Sequence, residues 1–339
     1  MLKRLLFLLL LVLCLAACAA DPTMPASTPL ALVPESAAAP SHTTMPTNTA
    51  VSTAMATLTR TQTPVATATH MPSATPSATY TCTPAPTETP TATCTPTAPF
   101  IVAIDPGHGG VDLGARHFND EGKMDFYESE VVLDISLRLA RLLEEKGYTV
   151  MLTRDGDYLL NNYVGENIGP DITSDGEVDW VDDLQLRVDL INEAEADLVL
   201  SIHLNGFDHP DKEVVRQVYG TTTYYCEARP FAAQSKRFAE IVQEHVLAFL
   251  AETGLETYDR GAIPDSTLAV PGEPGQHLVL LGPCEERCVR PSQMPGALSE
   301  PVFISNPMEA EFLKRPEFLE ALAATYVAAI EAYHAEVER

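Results

Sequence analysis

Two histidines and two glutamates have the types and positions needed to hold and use a metal ion. His108 follows the apolar run Phe100-Ile101-Val102-Ala103-Ile104, inside the stretch Asp105-Pro106-Gly107-His108-Gly109-Gly110. His203 comes near the end of a second such run, Asp197-Leu198-Val199-Leu200-Ser201-Ile202-His203-Leu204-Asn205. Apolar runs of this length read as buried strands, and the Pro-Gly and Gly-Gly steps turn the chain sharply after the first. Both imidazoles are therefore expected at the carboxyl ends of strands, where open α/β sheets bind their ligands. Catalytic zinc sites commonly combine two histidines with a carboxylate and leave one position open for water. Glu128, which opens the helix after the first strand, is a candidate third ligand, and Glu130 is its rival. Glu300 lies in a late apolar run at a strand end, where it is a candidate base that takes a proton from water and passes it to a leaving amine.

The elements that must position these residues follow from hydrophobic periodicity. In the segment 128–146, Val132, Ile135, Leu139 and Leu142 fall at helical spacing, and Gly147 ends it. A strand at 148–154 follows at once, and a helix near 183–194 leads into the strand that ends at His203. A β-rich segment at 220–225 precedes a long amphipathic helix at 231–253. Strand-like runs at 277–281 and 296–303 come before a last helix at 316–336. Alternation of this kind predicts an α/β fold, a single domain with a mostly parallel central sheet flanked by helices.

A second constellation lies between two of these elements. Asp171, Thr173, Asp175, Asp179 and Asp182 place side-chain oxygens at positions 1, 3, 5, 9 and 12 of a twelve-residue loop. Gly176 falls where such a loop turns sharply, and Glu177 offers its carbonyl at position 7. The stretch resembles the EF-hand-like calcium loop of dockerin modules, to which an aspartate at position 12 is suited. The resemblance implies Ca2+ bound at 171–182, ordering an insertion and stabilising the domain. Cysteines are sparse: Cys226, Cys284 and Cys288 lie in the domain, and Cys284 and Cys288 are close enough in sequence to close a local disulfide. Without a paired histidine motif, neither a cysteine nucleophile nor a cysteine zinc site competes with the histidine pair.

The domain is preceded by two segments of different character. Lys3 and Arg4 lead an apolar run too short to span a bilayer, as in a secretory signal. Leu15-Ala16-Ala17-Cys18 resembles the lipobox of bacterial lipoproteins, which implies cleavage within 1–18 and lipidation of Cys18. Residues 19–99 are mostly Pro, Thr, Ala and Ser and carry too little apolar surface to offset the entropy of ordering, so a disordered stalk is expected. About 80 such residues reach on the order of 50 Å as a coil and up to about 250 Å as polyproline II. An exported protein anchored to the cell membrane is the expected arrangement.

The formal charge is -26, and residues 1–99 contribute nothing to it because Lys3, Arg4 and Arg60 cancel Asp21, Glu35 and Glu88. A domain at 100–339 with that charge repels nucleic acid and anionic headgroups. No nucleic-acid partner is expected, and contact with the membrane is expected through the lipid anchor only.

Taken together, the segments at 105–110, Asp112, Gly114-Ala115, Glu128, Thr153-Arg154, Leu186-Arg187, 201–205, Asp259-Arg260-Gly261, Met294-Pro295, Glu300 and Phe303-Ile304-Ser305-Asn306 resemble the zinc-dependent N-acetylmuramoyl-L-alanine amidases, in family order. The resemblance covers 100–339. It implies Zn2+ held by His108, Glu128 and His203, with Glu128 preferred over Glu130 by its distance from Leu133, and Glu300 as the catalytic carboxylate. It also implies Arg187 and Asn205 as residues that shape the substrate site, peptidoglycan as substrate and a place facing the cell wall; a protein activator is a further candidate partner. Ser129 after Glu128, Pro301 after Glu300 and long segments at 155–183 and 262–293 depart from the family pattern. Two alternatives stand beside the amidase: an inactive wall-binding or regulatory protein of the same fold, and a zinc peptidase cutting within the stem peptide.

Overall fold

The computed structural model describes residues 99–268, 277–283 and 289–339. The signal-like segment with Cys18, almost all of the stalk, and Cys284 and Cys288 lie outside the described residues. β1 (Ile101–Pro106) is buried on both faces: Val102 and Ile104 join one hydrophobic cluster and Ala103 the other. Side chains of a strand alternate between faces, so a strand covered on both sides reads as an unbroken apolar run. A hairpin of β2 (Arg116–Phe118) and β3 (Met124–Tyr127) then leads into α1 (Glu128–Glu145) and β4 (Thr149–Leu152). Next come α2 (Trp180–Glu193), β5 (Leu198–Ile202), the short α3 (Lys212–Arg216), β6 (Thr221–Tyr225) and α4 (Ala232–Thr253). β7 (Asp259–Pro264), a 3-10 turn (Asp265–Leu268), β8 (Gly296–Glu300), α5 (Pro307–Leu313) and α6 (Pro316–Val337) complete the elements of the described residues.

The six-stranded sheet has the order β4-β1-β5-β8-β6-β7. β1 runs parallel to β4 and β5, and β5 parallel to β8. β6 is antiparallel to β8 and parallel to β7. The expected α/β fold with a mostly parallel sheet is therefore present. Its topology also sorts the strand ends, because β1, β5 and β8 finish at one edge of the sheet while β6 and β7 finish at the opposite one. Ile135 and Leu139 of α1, Phe238 and Val242 of α4, and Tyr326 and Ile330 of α6 are buried together on one face. Val188 and Ile191 of α2, with Leu280 and Leu281, cover the other. Each such apolar side chain contributes about 1.5–3 kcal/mol by leaving water.

Several boundaries differ from the sequence reading for physical reasons. α2 begins at Trp180 rather than at 183, because Asp179 caps it: its side chain accepts from Val181 N while the Asp182 side chain accepts from Asp179 N. The run at 277–281 is a turn and not a strand, closed by donation from Leu281 N and Gly282 N to Leu278 O. β8 stops at Glu300, where Pro301 has no N–H to continue a ladder. The sheet also contains β7, whose Asp259-Arg260-Gly261 start lacks any apolar alternation.

Candidate metal centre and active site

The loop after β1 is held by two buried arginines. Arg154 and Arg187 are each 1% exposed. Arg154 donates through Nε to Pro106 O at 3.0 Å and through Nη2 to Gly107 O at 2.7 Å and Ser129 O at 2.9 Å. Arg187 donates through Nη1 to Asp105 Oδ1 at 3.0 Å and Pro106 O at 2.7 Å, through Nη2 to His108 O at 2.6 Å, and through Nε to Asp183 Oδ2 at 2.9 Å. Asp105 also accepts from Thr153 Oγ1 and Ser201 Oγ, so strands β1, β5 and the end of β4 meet on one carboxylate. Backbone carbonyls that would otherwise be orphaned at the turn are thereby satisfied.

These bonds keep His108 at φ 60, a left-handed conformation that costs a residue with a Cβ and persists where its surroundings over-determine it. Arg187 was expected to shape the substrate site. The structure places it beneath the His108 loop, with each of its three guanidinium nitrogens donating inside the protein. Asn205 is likewise buried, donating from Nδ2 to Glu300 O at 3.3 Å and pairing with Phe303 in an isolated bridge. It positions the end of β8.

On this frame His108, Glu128 and His203 converge. One ligand atom from each lies within 4.8 Å of the others. His108 Nε2 is 3.2 Å and His203 Nδ1 3.0 Å from Glu128 Oε1. His108 Nδ1 donates to Asp112 Oδ2 at 2.8 Å, which fixes the ring with Nε2 toward the other two residues. Glu128 is buried at the first position of α1, and Glu130 is not part of the cluster. Glu128 Oε2 accepts from Ala115 N at 2.8 Å and Oε1 from Leu204 N at 2.9 Å.

Close approach also explains two glycines. A Cβ on Gly107 would meet the His203 imidazole, and one on Gly114 would lie 2.6 Å from both Glu128 Oε2 and His108 Cδ2.

The field here favours a cation. Burial disfavours a charged His108, yet Glu128 and Asp112 outweigh it and raise its pKa to about 10. Burial likewise opposes ionisation of Glu128, but the two histidines hold its carboxyl well below the usual range. Two imidazoles and a carboxylate on separate elements form a donor set that fits a divalent transition metal. Glu300 ends β8 at the same edge, opposite Thr222 of β6. Its Oε2 is buried with no hydrogen-bond partner. Burial, and then the proximity of Glu128, push its carboxyl up to about 8. A buried carboxyl with an unused oxygen beside a cluster of candidate metal ligands is suited to accept and return a proton.

The expected calcium loop is ordered by its own amides. Asp182, at its end, accepts from Ile172 N at 2.7 Å, Thr173 N at 2.9 Å and Asp179 N at 2.8 Å. Asp171 accepts from Asp175 N and Gly176 N, and Glu177 N donates to Asp175. The acidic side chains of 171–182 do not converge as the His108 cluster does. Sequence reasoning missed Asp112 as a ring-orienting residue, although it lies four residues from His108. It also missed Asp105, whose place at the end of an apolar run was itself the signal, because a buried carboxylate must be paired.

The family described as N-acetylmuramoyl-L-alanine amidase matches residues 102–332. The chain is 28% identical over 236 residues to the germination-specific N-acetylmuramoyl-L-alanine amidase of Bacillus subtilis, covering 70% of this chain and 80% of that one. It is 27% identical over 256 residues to the amidase AmiC of Escherichia coli O6:H1, covering 70% of this chain but 54% of that protein. Among solved structures, the CwlD amidase from Clostridioides difficile in complex with the GerS lipoprotein superimposes with a TM-score of 0.51 and 25% identity, covering 70% of this chain and 98% of that one. With this match spanning the sheet, the His108 loop and the Glu300 strand, the chain belongs to the N-acetylmuramoyl-L-alanine amidase family of cell-wall hydrolases.

Proposed function

We propose that this chain hydrolyses the amide between the lactyl group of N-acetylmuramic acid and L-alanine in peptidoglycan, with zinc held by His108, Glu128 and His203 and with Glu300 carrying the proton. The observation behind this reading is the convergence of three ligand atoms within 4.8 Å at the sheet edge where β8 delivers Glu300. When bound, the ion supplies a Lewis acid for the amide carbonyl and an acidified water. Asp112 keeps His108 Nε2 facing the site, and the Ala115 and Leu204 amides fix the plane of Glu128. Glu300 accepts a proton from the attacking water and returns it to the alanine nitrogen as the C–N bond breaks. The products are a free lactyl carboxylate and a stem peptide beginning with L-alanine.

The same reading extends to placement and partners. Lipidation of Cys18 and the 19–99 stalk would hold the domain out from the membrane toward its polymer. The complex of the Clostridioides difficile neighbour with the GerS lipoprotein supports a protein partner for this chain, for which an activator is our reading. Calcium at 171–182 would replace amide bonds at Asp171 or Asp182 and raise the melting temperature. Calorimetry in calcium and in chelator reads this directly, and equal melting temperatures count against it.

Incubating the full chain with intact peptidoglycan and identifying the released ends by mass spectrometry tests the reaction. Stem peptides starting with L-alanine are expected. Fragments cut within the stem, with the lactyl amide intact, would assign a peptidase instead.

A further inference from the structure

A second cluster of metal-ligating side chains lies at the other edge of the sheet. Among the described residues, Cys226, Glu227, Asp265 and His277 form the remaining group whose ligand atoms come within 4.8 Å of one another. They arrive from three places: the end of β6, the 3-10 turn after β7, and the turn that begins at His277. Because β6 and β7 run opposite to β8, this group sits at the edge away from Glu300.

The group is built rather than incidental. Asp265 is 0% and Cys226 1% exposed. His277 Nδ1 lies 2.7 Å from Asp265 Oδ1 and 3.4 Å from Cys226 Sγ, and Asp265 Oδ2 accepts from Leu278 N at 3.0 Å. Glu227, at the exposed side, accepts from Ser266 Oγ. The turn after His277 is anchored, since Leu280 and Leu281 are buried in one cluster with Cys226, Met294 and Leu298.

Two chemistries could use cysteine, histidine and aspartate together. A nucleophilic relay needs the thiol on one imidazole nitrogen and the carboxylate on the other. Here both face the same nitrogen, Nδ1. Convergence on a single point is instead what coordination demands. Ligands about 2.0–2.3 Å from a tetrahedral ion stand about 3.2–3.8 Å apart; Cys226 Sγ and His277 Nδ1, at 3.4 Å, have that spacing, and Asp265 Oδ1, at 2.7 Å from Nδ1, is closer. A sulfur donor selects zinc-like ions over calcium or magnesium, and four protein ligands leave no position for substrate.

We propose that Cys226, Asp265 and His277, with Glu227 as the fourth ligand, form a structural site for a divalent transition metal such as zinc that ties the ends of β6 and β7 to the turn at His277.

The test is cobalt substitution of the chelator-treated, reduced full chain, because the His108 site contains no sulfur. A thiolate-to-cobalt charge-transfer band in the near ultraviolet is expected in the unmutated chain. It should persist in His203→Ala and in the double variant Cys284→Ser/Cys288→Ser. Cys226→Ser should abolish the band and lower bound metal from two ions per chain to one. His277→Ala should weaken or abolish it, which keeps the test open if Cys226→Ser does not fold. No band in the unmutated chain, or a band that survives Cys226→Ser, overturns the proposal. A chain whose His108 site held no metal would bind one ion rather than two and still show the band, so the two readings fail separately.

Discussion

Asp112 decides which nitrogen of His108 faces the site, because its carboxylate accepts from Nδ1 and leaves Nε2 turned toward Glu128. Replacing it with asparagine keeps the shape but weakens the orienting bond. Asp112→Asn should lower metal affinity about 10–100-fold with the fold intact. Competition titration against a chelator measures this, and unchanged affinity would show that the ring is oriented by packing alone. At this scale the sequence was legible where a residue type met a recognisable position. His108, His203 and Glu300 each follow an apolar run, and Glu128 opens a helix. It was illegible where the role depends on burial. Arg187 is a substrate-site candidate by resemblance, and nothing in its sequence neighbours announces that each guanidinium nitrogen donates inside the protein.

Elements are held at the site edge by a few buried charges, and these give stability predictions. Arg187 joins α2 to β1 and to the His108 loop, so Arg187→Ala leaves Asp105 and Asp183 without their cation. A loss of about 3–5 kcal/mol is expected in denaturant unfolding, and a loss under about 1 kcal/mol would mean that water replaces the guanidinium.

Glu309 of α5 accepts from Gly220 N before β6 and from Phe303 N after β8. Burial raises its pKa from 4.5 to about 7 in spite of those amides. The folded state therefore keeps a proton that the unfolded state loses first. Its stabilisation is complete below about 4.5 and is lost as pH rises through about 7. Relative to Glu309→Gln, the unmutated chain should lose on the order of 3 kcal/mol between pH 5 and pH 8. A difference independent of pH would show that Glu309 is ionised throughout. β1 and β5 were readable from their unbroken apolar runs, and the three long helices of one face from their period. β7 and the turn at His277 were not, because Asp259-Arg260-Gly261 has no alternation and a short apolar run does not distinguish a strand from a buried turn.

Over the whole molecule, the mixed sheet separates two tasks. Strands β1, β5 and β8 bring His108, His203 and Glu300 to one edge, while β6 and β7 carry Cys226 and Asp265 to the other. Sequence alone could not have grouped Cys226 with His277, which is 51 residues away, since their meeting depends on β6 running against β8. The domain's acidic balance, -26 over the chain, suits a protein that gathers cations and avoids nucleic acid.

The central claim is that His108, Glu128 and His203 hold the ion while Glu300 moves the proton. Measuring peptidoglycan turnover and bound metal together, in the unmutated chain and in Glu300→Gln, separates the two roles. The account predicts at least a roughly 100-fold fall in stem-peptide release with metal content unchanged. Release near the unmutated rate from Glu300→Gln would contradict it.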